Sequence, residues 1–322
     1  MSTIQESFEV KVPCSTANLG PGFDSIGMAL NCYLYLHFSP SDELKISLYN
    51  ADSYEQNIPL DHNNLIIRVM KKAFSDQHYP FPTFHLRIRN FIPLARGLGS
   101  SAAAIVGGFI AANQIMGKPW SVDELFQQAT KWEGHPDNVG PSLFGGVTIG
   151  SWDGETASVF TCEPPDVPIL AVIPEQVLYT KKARAILPSS YSRSEAVLAS
   201  SRANLLTAAL ISKRWDLLSV AMQDRFHHPY RQELVPGLKE SLAEAHKNGA
   251  WGVALSGAGP TLIAFVKDME QLQAYFRQLF AKWNIKMEMV ALKPTHEGAV
   301  VQLTAARKCS TFVGNMIGVI NQ

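Results

Sequence analysis

The chain has 322 residues, and its 28 Lys and Arg residues balance 28 Asp and Glu residues, so the formal net charge is zero at pH 7. Hydrophobic residues make up 46% and charged residues 17%, a balance typical of a globular protein with an apolar core and not of a disordered chain. The lack of a basic excess argues against sequence-independent binding of nucleic acid, and the length predicts two domains.

The first half of the chain alternates predicted strands and helices. Alternation of apolar and polar residues predicts strands at Phe8–Val12, within Tyr33–Leu48 and at Thr83–Ile92. Apolar residues at helical spacing predict helices at Asn64–Ser75, Ser101–Met116 and Ser121–Trp132. Ser121 and Glu124 stand at the positions of a capping box, which predicts where the third helix begins.

A polar, proline-bearing segment, Ser151–Pro168, predicts a boundary between an N-terminal domain of residues 1–160 and a C-terminal domain of residues 161–322. In the second domain, strands are predicted at Ile169–Ile173, Gly252–Leu255, Thr261–Val266 and Lys286–Leu292. Helices are predicted at Ser194–Ile211, Trp215–Asp224, Leu238–Asn248 and Met269–Trp283. Because strands and helices are mixed without strict βαβ repetition, the predicted fold class is α+β.

Neither a signal peptide nor a membrane span is predicted. Met1–Val12 carries no basic segment followed by an apolar one, and no stretch reaches the roughly 18 consecutive apolar residues of a transmembrane helix. The cysteines, at positions 14, 32, 162 and 309, form no C-x-x-C pair, which favours free buried thiols over a disulfide framework or a zinc site. These features predict a cytoplasmic protein.

The segment Pro93–Ala104, PLARGLGSSAAA, carries most of the predicted chemistry. Gly97 and Gly99 permit close approach of backbone N–H groups to an anion, and the following helix directs its positive end to the same point. Ser100 and Ser101 add hydroxyl groups where that helix begins. No Lys follows the glycines, and the G-x-G-x-x-G pattern is incomplete, so neither common nucleotide motif is present. The segment predicts a polyphosphate site, with a turn that only caps a buried helix as the alternative.

Two further glycine-rich segments follow predicted strands. Pro13–Gly27, PCSTANLGPGFDSIG, is predicted to be a loop in which Asn18 and Asp24 offer an amide and a carboxylate to an amine-bearing substrate. Ser256–Thr261, SGAGPT, is predicted to be a tight turn between two apolar strands. Three such turns, each after a strand, predict one binding cleft assembled from distant parts of the chain.

The order and spacing of these three segments resemble the signature motifs of the GHMP kinases over essentially the whole chain. Within this family the sequence is most similar to the homoserine kinases. VPCSTANLGPGFDSIGMAL resembles their first motif, GHPDNVGPSLFGG the middle motif, DRFHHPYRQELVPG a late basic segment and WGVALSGAGPT the last motif. The resemblance implies an N-terminal domain like domain 2 of ribosomal protein S5 and a ferredoxin-like C-terminal domain. It also implies transfer of the γ-phosphoryl group of ATP to L-homoserine for threonine biosynthesis, with Mg²⁺ and in a homodimer.

For ATP, the resemblance implies a contact near the adenine from Asn64. Around the phosphates it implies Pro93, Leu94, Ala95, Arg96, Gly97, Leu98, Gly99, Ser100, Ser101, Ala102 and Ala103. It further implies that the Ser101 hydroxyl and the Glu133 carboxylate bind Mg²⁺, and such hard oxygen ligands suit this ion. The family usually has a longer loop before the middle motif, whereas here only Gly134 separates Glu133 from His135.

For the substrate, the resemblance implies contacts from Asn18, Asp24, Asn138, Arg184 and Arg231. Asp24 suits the ammonium group of an amino acid, and Arg184 and Arg231 suit its carboxylate, which an arginine can bind through two hydrogen bonds. For the histidines at positions 135, 227 and 228, structural or hydrogen-bonding roles are favoured over a metal site, because they are separated and lack partnering cysteines.

The predicted catalytic residues are Asp137, Asn138 and Arg184, and two mechanisms remain open. Several GHMP kinases use an aspartate of the middle motif as a base, and Asp137 stands at that place. Homoserine kinases are thought to turn the neighbouring asparagine, here Asn138, toward the substrate without a dedicated base. A loose transition state needs little prior deprotonation, so we expect direct transfer.

Three other functions are weighed as alternatives. A GHMP kinase acting on another alcohol such as mevalonate is disfavoured by Asp24 beside Asn18, because mevalonate has no ammonium group. A catalytically silent nucleotide-binding regulator is disfavoured by Glu133 and by the intact glycines and serines of the phosphate loop. An RNA-binding module is disfavoured most, because the sequence has no evident basic face with interleaved aromatics.

Overall fold

The structure is a computed structural model, and it describes residues 3–49 and 58–303. The strands of the described residues are β1 (Phe8–Asn18), β2 (Gly22–Ser39), β3 (Lys45–Leu48), β4 (His85–Asn90), β5 (Val147–Trp152), β6 (Ala157–Cys162), β7 (Ile169–Pro174), β8 (Ala250–Leu255), β9 (Leu262–Val266), β10 (Met287–Leu292) and β11 (Val300–Leu303). The α-helices are α1 (Leu65–Asp76), α2 (Ser100–Ile115), α3 (Val122–Glu133), α4 (Pro136–Phe144), α5 (Thr180–Ala185), α6 (Arg193–Ser212), α7 (Leu218–Ala221), α8 (His228–Arg231), α9 (Leu238–Glu244) and α10 (Met269–Lys282). Short 3₁₀ turns lie at Trp215–Leu217 and Ala245–Lys247.

The first sheet has the strand order β11-β1-β2-β4-β3, and β5 extends it by pairing with β2 and β6. Among the strands that the structure describes in this sheet, β3 and β4 pair in parallel and the other pairs are antiparallel. Helix α2 packs against α1 and α3 and lies on β1, while α4 packs on β1, β2 and β5. The small residues of α2 are almost all buried, as expected for a helix that packs deep against a sheet.

The segment Pro13–Gly27, predicted to be a loop, is instead the end of a long hairpin. Strand β1 continues to Asn18 and β2 begins at Gly22, so only three residues form the turn. Two register shifts, after Pro13 and after Ala17, interrupt the alternation that would have indicated a strand. The end of β1 is also buried on both faces, which removes the polar half of the pattern.

The second sheet is antiparallel, with the order β10-β7-β9-β8. Strand β7 is buried on both faces: Ile169, Ala171 and Ile173 join the core shared with the first sheet, and Leu170 and Val172 join a core that includes residues of α9 and α10. The second sheet is therefore a middle layer, and one of its faces packs in the apolar core that it shares with the first sheet.

The α+β class is confirmed by two sheets in which antiparallel pairs dominate. The predicted boundary between residues 160 and 161 falls inside β6, and β11 returns to pair with β1, so the sheets do not correspond to two continuous halves of the chain. The exact division into residues 1–160 and 161–322 stays a prediction. Cys14 and Cys32 are free and buried, Cys162 is free and half-buried, and Cys309 lies outside the described residues. Within residues 3–49 and 58–303, no helix has both the length and the apolar character needed to cross a membrane.

Candidate active site

A cavity of about 370 Å³ is lined by segments of both halves of the chain. Most of the predicted site residues line it: Asn18, Asp24, Asn64, Leu94, Ala95, Arg96, Gly97, Gly99, Ser100, Ser101, Glu133, Asp137, Asn138, Arg184 and Arg231. Four predicted ATP contacts, Pro93, Leu98, Ala102 and Ala103, do not line the cavity; they are buried beneath it and support the loop. The cleft predicted from three distant glycine-rich segments is thus a single cavity.

The loop between β4 and α2 has the backbone conformation of an anion site. Ala95, Gly97 and Gly99 have φ values of 52°, 81° and 68°, in the left-handed region. Gly99 is the N-cap of α2 and offers no side chain to the first N–H groups of that helix. These N–H groups and the positive end of the helix therefore face the cavity, as phosphate binding requires.

The turn that follows β8 supports this loop from behind. Ser256 Oγ donates a hydrogen bond of 2.6 Å to Gly97 O, and Thr261 N donates to Arg96 O at 3.4 Å. A Cβ atom on Gly97 would lie 2.2 Å from Ser256 O, so the two turns pack backbone against backbone. The last motif, predicted as a binding turn, acts here mainly as a brace for the phosphate loop.

Arg96 lines the cavity, but its guanidinium group points to the second sheet. Its Nε donates to Pro174 O at 3.2 Å and its Nη2 to Glu175 O at 2.8 Å. These bonds tie the phosphate loop to the end of β7.

Ser101 and Glu133 lie together at the wall of the cavity, with Ser101 Oγ donating to Glu133 Oε2 at 3.2 Å. Glu133 is the last residue of α3, whose N-terminus carries the predicted Ser121–Glu124 capping box. Gly134, at φ 90°, turns the chain from α3 into α4, which begins at Pro136. This turn makes possible the short connection between Glu133 and His135. Burial raises the pKa of Glu133 despite the nearby His135 and Ser101. A hydroxyl and a carboxylate at this distance are a suitable oxygen pair for Mg²⁺.

The middle motif forms the start of α4, where Asp137 and Asn138 are buried. Asp137 Oδ1 lies 2.5 Å from His135 Nδ1. Burial acts to lower the pKa of His135, but Asp137 and the other nearby carboxylates outweigh it and raise the pKa to about 9. At neutral pH the Asp137 carboxylate is therefore held by a charged imidazolium.

Asn138 is oriented by a residue that sequence reasoning missed. Ser15 Oγ donates to Asn138 Oδ1 at 3.0 Å, and Ser15 is fully buried in β1. Because Oδ1 is engaged in this bond, the amide nitrogen of Asn138 is the end that faces Asp137, 3.5 Å from its Oδ1. The only sequence signal was the position of Ser15 inside the first motif.

Asp24 and Arg184, predicted to bind opposite ends of an amino acid, bind each other here. Arg184 Nη1 and Nη2 lie 2.9 and 2.6 Å from the two carboxylate oxygens of Asp24. Asn18 holds Asp24 in place, because its Oδ1 accepts from Asp24 N at 3.0 Å and its Nδ2 donates to Gly257 O at 2.9 Å. Asn18 is thus on the cavity wall, but its side-chain amide is engaged with the backbone at both ends.

Arg231 is the largest fully buried side chain of the described residues, with 1% exposure. It donates to three neutral acceptors: Ala183 O at 3.2 Å from Nε, and Gly257 O and His227 Nδ1 at 2.9 and 3.0 Å from Nη1. Burial lowers its pKa to about 10, so it remains charged at neutral pH. The Phe23 ring lies beside both arginines, with its centroid 5.5 Å from Arg184 Cζ and 5.6 Å from Arg231 Cζ.

Asn64 caps α1. Its Oδ1 accepts from Ile66 N at 3.0 Å and its Nδ2 donates to Pro59 O at 2.7 Å. Ile58, Pro59 and Leu65 line the cavity around it, so this end of the cavity is mainly apolar and suits an aromatic base.

Comparison with known proteins gives matches over most of the chain. The family models described as GHMP kinases N terminal domain and GHMP kinases C terminal match residues 64–146 and 206–285. The homoserine kinase of Carboxydothermus hydrogenoformans is 40% identical over 292 residues, which cover 90% of this chain and 95% of that protein. The homoserine kinase of Halalkalibacterium halodurans is 41% identical over 315 residues, covering 95% and 99%.

Solved structures match as well. A crystal structure of homoserine kinase from Cytophaga hutchinsonii aligns with a TM-score of 0.80 and 27% identity, covering 94% of this chain and 99% of that chain. The mevalonate kinase of Methanococcus jannaschii aligns with a TM-score of 0.65 at 15% identity, covering 89% and 98%, and shares the fold.

Proposed function

The chain belongs to the GHMP kinase family, and on that basis we propose that it is a homoserine kinase. It transfers the γ-phosphoryl group of ATP to the side-chain hydroxyl of L-homoserine and gives O-phospho-L-homoserine, an intermediate of threonine biosynthesis. One observation carries this proposal: a single cavity contains both a phosphate loop and a pocket in which the Asp24 carboxylate lies with the Arg184 and Arg231 guanidinium groups.

The charges of the pocket match an amino acid with a free hydroxyl. In this structure Asp24 and Arg184 neutralise each other, while Arg231 has only neutral hydrogen-bond acceptors. A bound amino acid would replace the Asp24–Arg184 ion pair with two others. Its ammonium group would pair with Asp24, and its carboxylate would pair with Arg184 and Arg231. Mevalonate offers no ammonium, so when its carboxylate took Arg184 away from Asp24 no cation would replace it, which is costly for a partly buried charge.

The ATP phosphates have a matching site on the other side of the cavity. The free N–H groups at the start of α2 and the left-handed residues of the loop favour an anion without any lysine. The Ser101 hydroxyl and the Glu133 carboxylate would hold Mg²⁺, which when bound neutralises part of the phosphate charge. The apolar wall around Asn64 would hold the adenine. The homodimer and the cytoplasmic location implied by the resemblance stay predictions.

The surroundings of Asp137 support direct transfer rather than general-base catalysis. A base must have a free carboxylate near the substrate hydroxyl, whereas Asp137 is paired with the charged His135 ring. Asn138, held by Ser15, presents an amide to the same region and would position the hydroxyl. Arg184 would hold the substrate in line with the phosphate.

The reaction can be tested by measuring ADP release with a panel of alcohols: L-homoserine, 4-hydroxybutanoate, mevalonate and galactose. We expect rapid Mg²⁺-dependent turnover with homoserine and little with 4-hydroxybutanoate, which differs only by the missing amine. Turnover of mevalonate in preference to homoserine would support the alternative kinase. ATP binding without ADP release for any alcohol would support the silent regulator.

The absence of a base is tested by Asp137→Asn. The amide can still hydrogen bond to His135 but cannot accept the hydroxyl proton, so we expect measurable turnover to persist. Asp137→Asn with no turnover, but with ATP and homoserine binding intact by calorimetry, would show that Asp137 is the base.

A further inference from the structure

The Arg231 guanidinium carries a charge that no carboxylate of the described residues contacts. Ion pairs within residues 3–49 and 58–303 include Asp24–Arg184, but none involves Arg231. Its three hydrogen-bond acceptors are two backbone carbonyl groups and one imidazole nitrogen. A buried cation arranged in this way is oriented but not neutralised, so its charge remains available to an anion in the cavity.

The imidazole is that of His227, which sits one helical turn before Arg231. His227 Nε2 lies 2.9 Å from Gly20 O, a carbonyl that can only accept, so Nε2 carries the proton. His227 Nδ1 lies 3.0 Å from Arg231 Nη1, a group that can only donate, so Nδ1 carries the lone pair. A single neutral tautomer satisfies both contacts. The ring is fully buried, and this burial lowers the pKa of His227 well below 6.5.

We propose that His227 is a positioning residue that orients Arg231 for the carboxylate of the substrate, an inference that rests on the proposed function. A neutral acceptor suits this task, because an aspartate in the same place would pair with Arg231 and compete with the substrate. His227 also stacks on Phe23 at a centroid distance of 5.2 Å, and Phe23 lies beside both arginines. Through Gly20, it links Arg231 to the turn between β1 and β2.

The adjacent His228 is a matched control for this role. It is equally buried and lies on the same short helix, but its Nε2 accepts from Leu255 N at 3.1 Å instead of contacting Arg231. Asp224 accepts from the backbone N–H groups of residues 226, 227 and 228, so it holds both histidines through the backbone. A loss of helix packing should therefore appear in variants of either histidine, and a loss of Arg231 orientation only in variants of His227.

The test compares H227F, H227N and H228F in the full chain. H227F keeps a ring against Phe23 but removes the acceptor, so we expect the KM for homoserine to rise about tenfold, the scale of one lost hydrogen bond to a charged group. H227N places an amide oxygen where Nδ1 stood, so we expect it to restore most of the affinity. H228F should lower the melting temperature and leave the KM for homoserine unchanged. The KM for ATP should be unchanged in all three variants.

A substrate analogue separates positioning from general damage. 3-Aminopropan-1-ol is homoserine without its carboxylate, and its inhibition constant against homoserine should be the same in H227F as in the original chain. An unchanged KM for homoserine in H227F, an equal loss of 3-aminopropan-1-ol binding, or the same KM rise in H228F would each overturn the proposal. Failure of the original chain to turn over homoserine would instead overturn the proposed function. If H227F does not fold, H227Q takes its place: its amide can reach Gly20 but not the Nδ1 position, and the same rise in KM is expected.

Discussion

Ser15 is a core residue by burial but a site residue by contact. Its hydroxyl determines which end of the Asn138 amide faces the cavity. It also explains a feature of the phosphate loop, because a Cβ atom on Gly99 would lie 2.1 Å from Ser15 Oγ. The first motif therefore supports two residues of the cavity wall, Gly99 and Asn138, from within β1.

Replacing Ser15 with Ala should lower kcat about tenfold, because the amide of Asn138 loses the bond that fixes its orientation. The KM values for homoserine and ATP should change little, since neither ligand touches Ser15. Ser142→Ala is the matched control: Ser142 Oγ lies 3.3 Å from Ser15 Oγ, and its loss leaves the Ser15–Asn138 bond intact. Equal falls of kcat in the two variants, measured by steady-state kinetics, would show that only packing was lost.

The lowered pKa of His228 should make the stability of the protein depend on pH. Burial lowers its pKa from 6.5 to about 4. As the pH falls below 6.5, His228 becomes protonated in the unfolded chain but stays neutral in the folded protein. The free energy of unfolding therefore falls until about pH 4. The full contribution of this group is about 3 kcal/mol.

H228F removes this group, so its unfolding free energy should fall less steeply between pH 6.5 and 4 than that of the original chain. Urea unfolding at several pH values measures the two slopes. Parallel curves for the variant and the original chain would contradict the prediction. The carboxylates and His227 are present in both proteins, so the difference between the curves reports the removal of His228.

At the scale of elements, the phosphate loop depends on the turn between β8 and β9. Gly97 and Gly134 have similar left-handed backbones, with φ values of 81° and 90°, but different surroundings. A Cβ atom on Gly97 would meet Ser256 O at 2.2 Å, whereas one on Gly134 would meet nothing within 4 Å. Replacing each glycine with alanine therefore separates two effects. Both variants strain a left-handed backbone, but only the variant at Gly97 disrupts the contact with the turn at Ser256.

Gly134→Ala should cost about 1–2 kcal/mol of stability from the left-handed backbone alone. Gly97→Ala should cost more, and it should also raise the KM for ATP by about tenfold or more, because the loop must move away from Ser256. Thermal denaturation and ATP kinetics measure the two effects. A G97A variant no worse than G134A in both measurements would refute the role of the brace.

The elements that the sequence predicted correctly are those with a local signal. Helices α1, α2, α3, α6 and α10 have long apolar patterns or side-chain caps, and all were found within a few residues. Helix α4 was missed because Gly140 and Pro141 lie inside it and because it is buried on nearly all sides, which leaves no periodic pattern. Strand β11 was missed because its partner β1 is at the opposite end of the chain.

For the site, motif resemblance found which residues meet but not what each one contacts. The bonds from Ser15 to Asn138 and from Arg184 to Asp24 join residues 123 and 160 positions apart, and they exist only in the folded protein. Asn18 shows what the motif could not reveal: its amide was predicted to bind the substrate, but both ends of that amide bond to backbone groups. His227 and Arg231 are close in sequence, but their spacing alone does not distinguish a site from a helix surface.

At the scale of the whole molecule, the two sheets share one apolar core and one cavity. Apolar residues of β7 and β9 belong to the same cluster as those of β1 and β2. Across the cavity, Asn18 and Ser256 bond to backbone of the opposite half, and Arg96 ties the phosphate loop to the end of β7. Neither half can unfold without exposing part of the other's core and breaking these bonds.

Thermal unfolding should therefore be a single cooperative transition, with equal calorimetric and van't Hoff enthalpies. ATP with Mg²⁺ and homoserine should each raise the melting temperature of the whole transition. A ligand added at about 100 times its Kd adds roughly 2.7 kcal/mol to the free energy of unfolding. In Asp24→Asn the shift with homoserine should be lost and the shift with ATP retained, because homoserine is the ligand whose ammonium group would bind Asp24. Two separate transitions, or a ligand that moves only one of them, would show that the halves unfold independently and that the cavity is not their common interface.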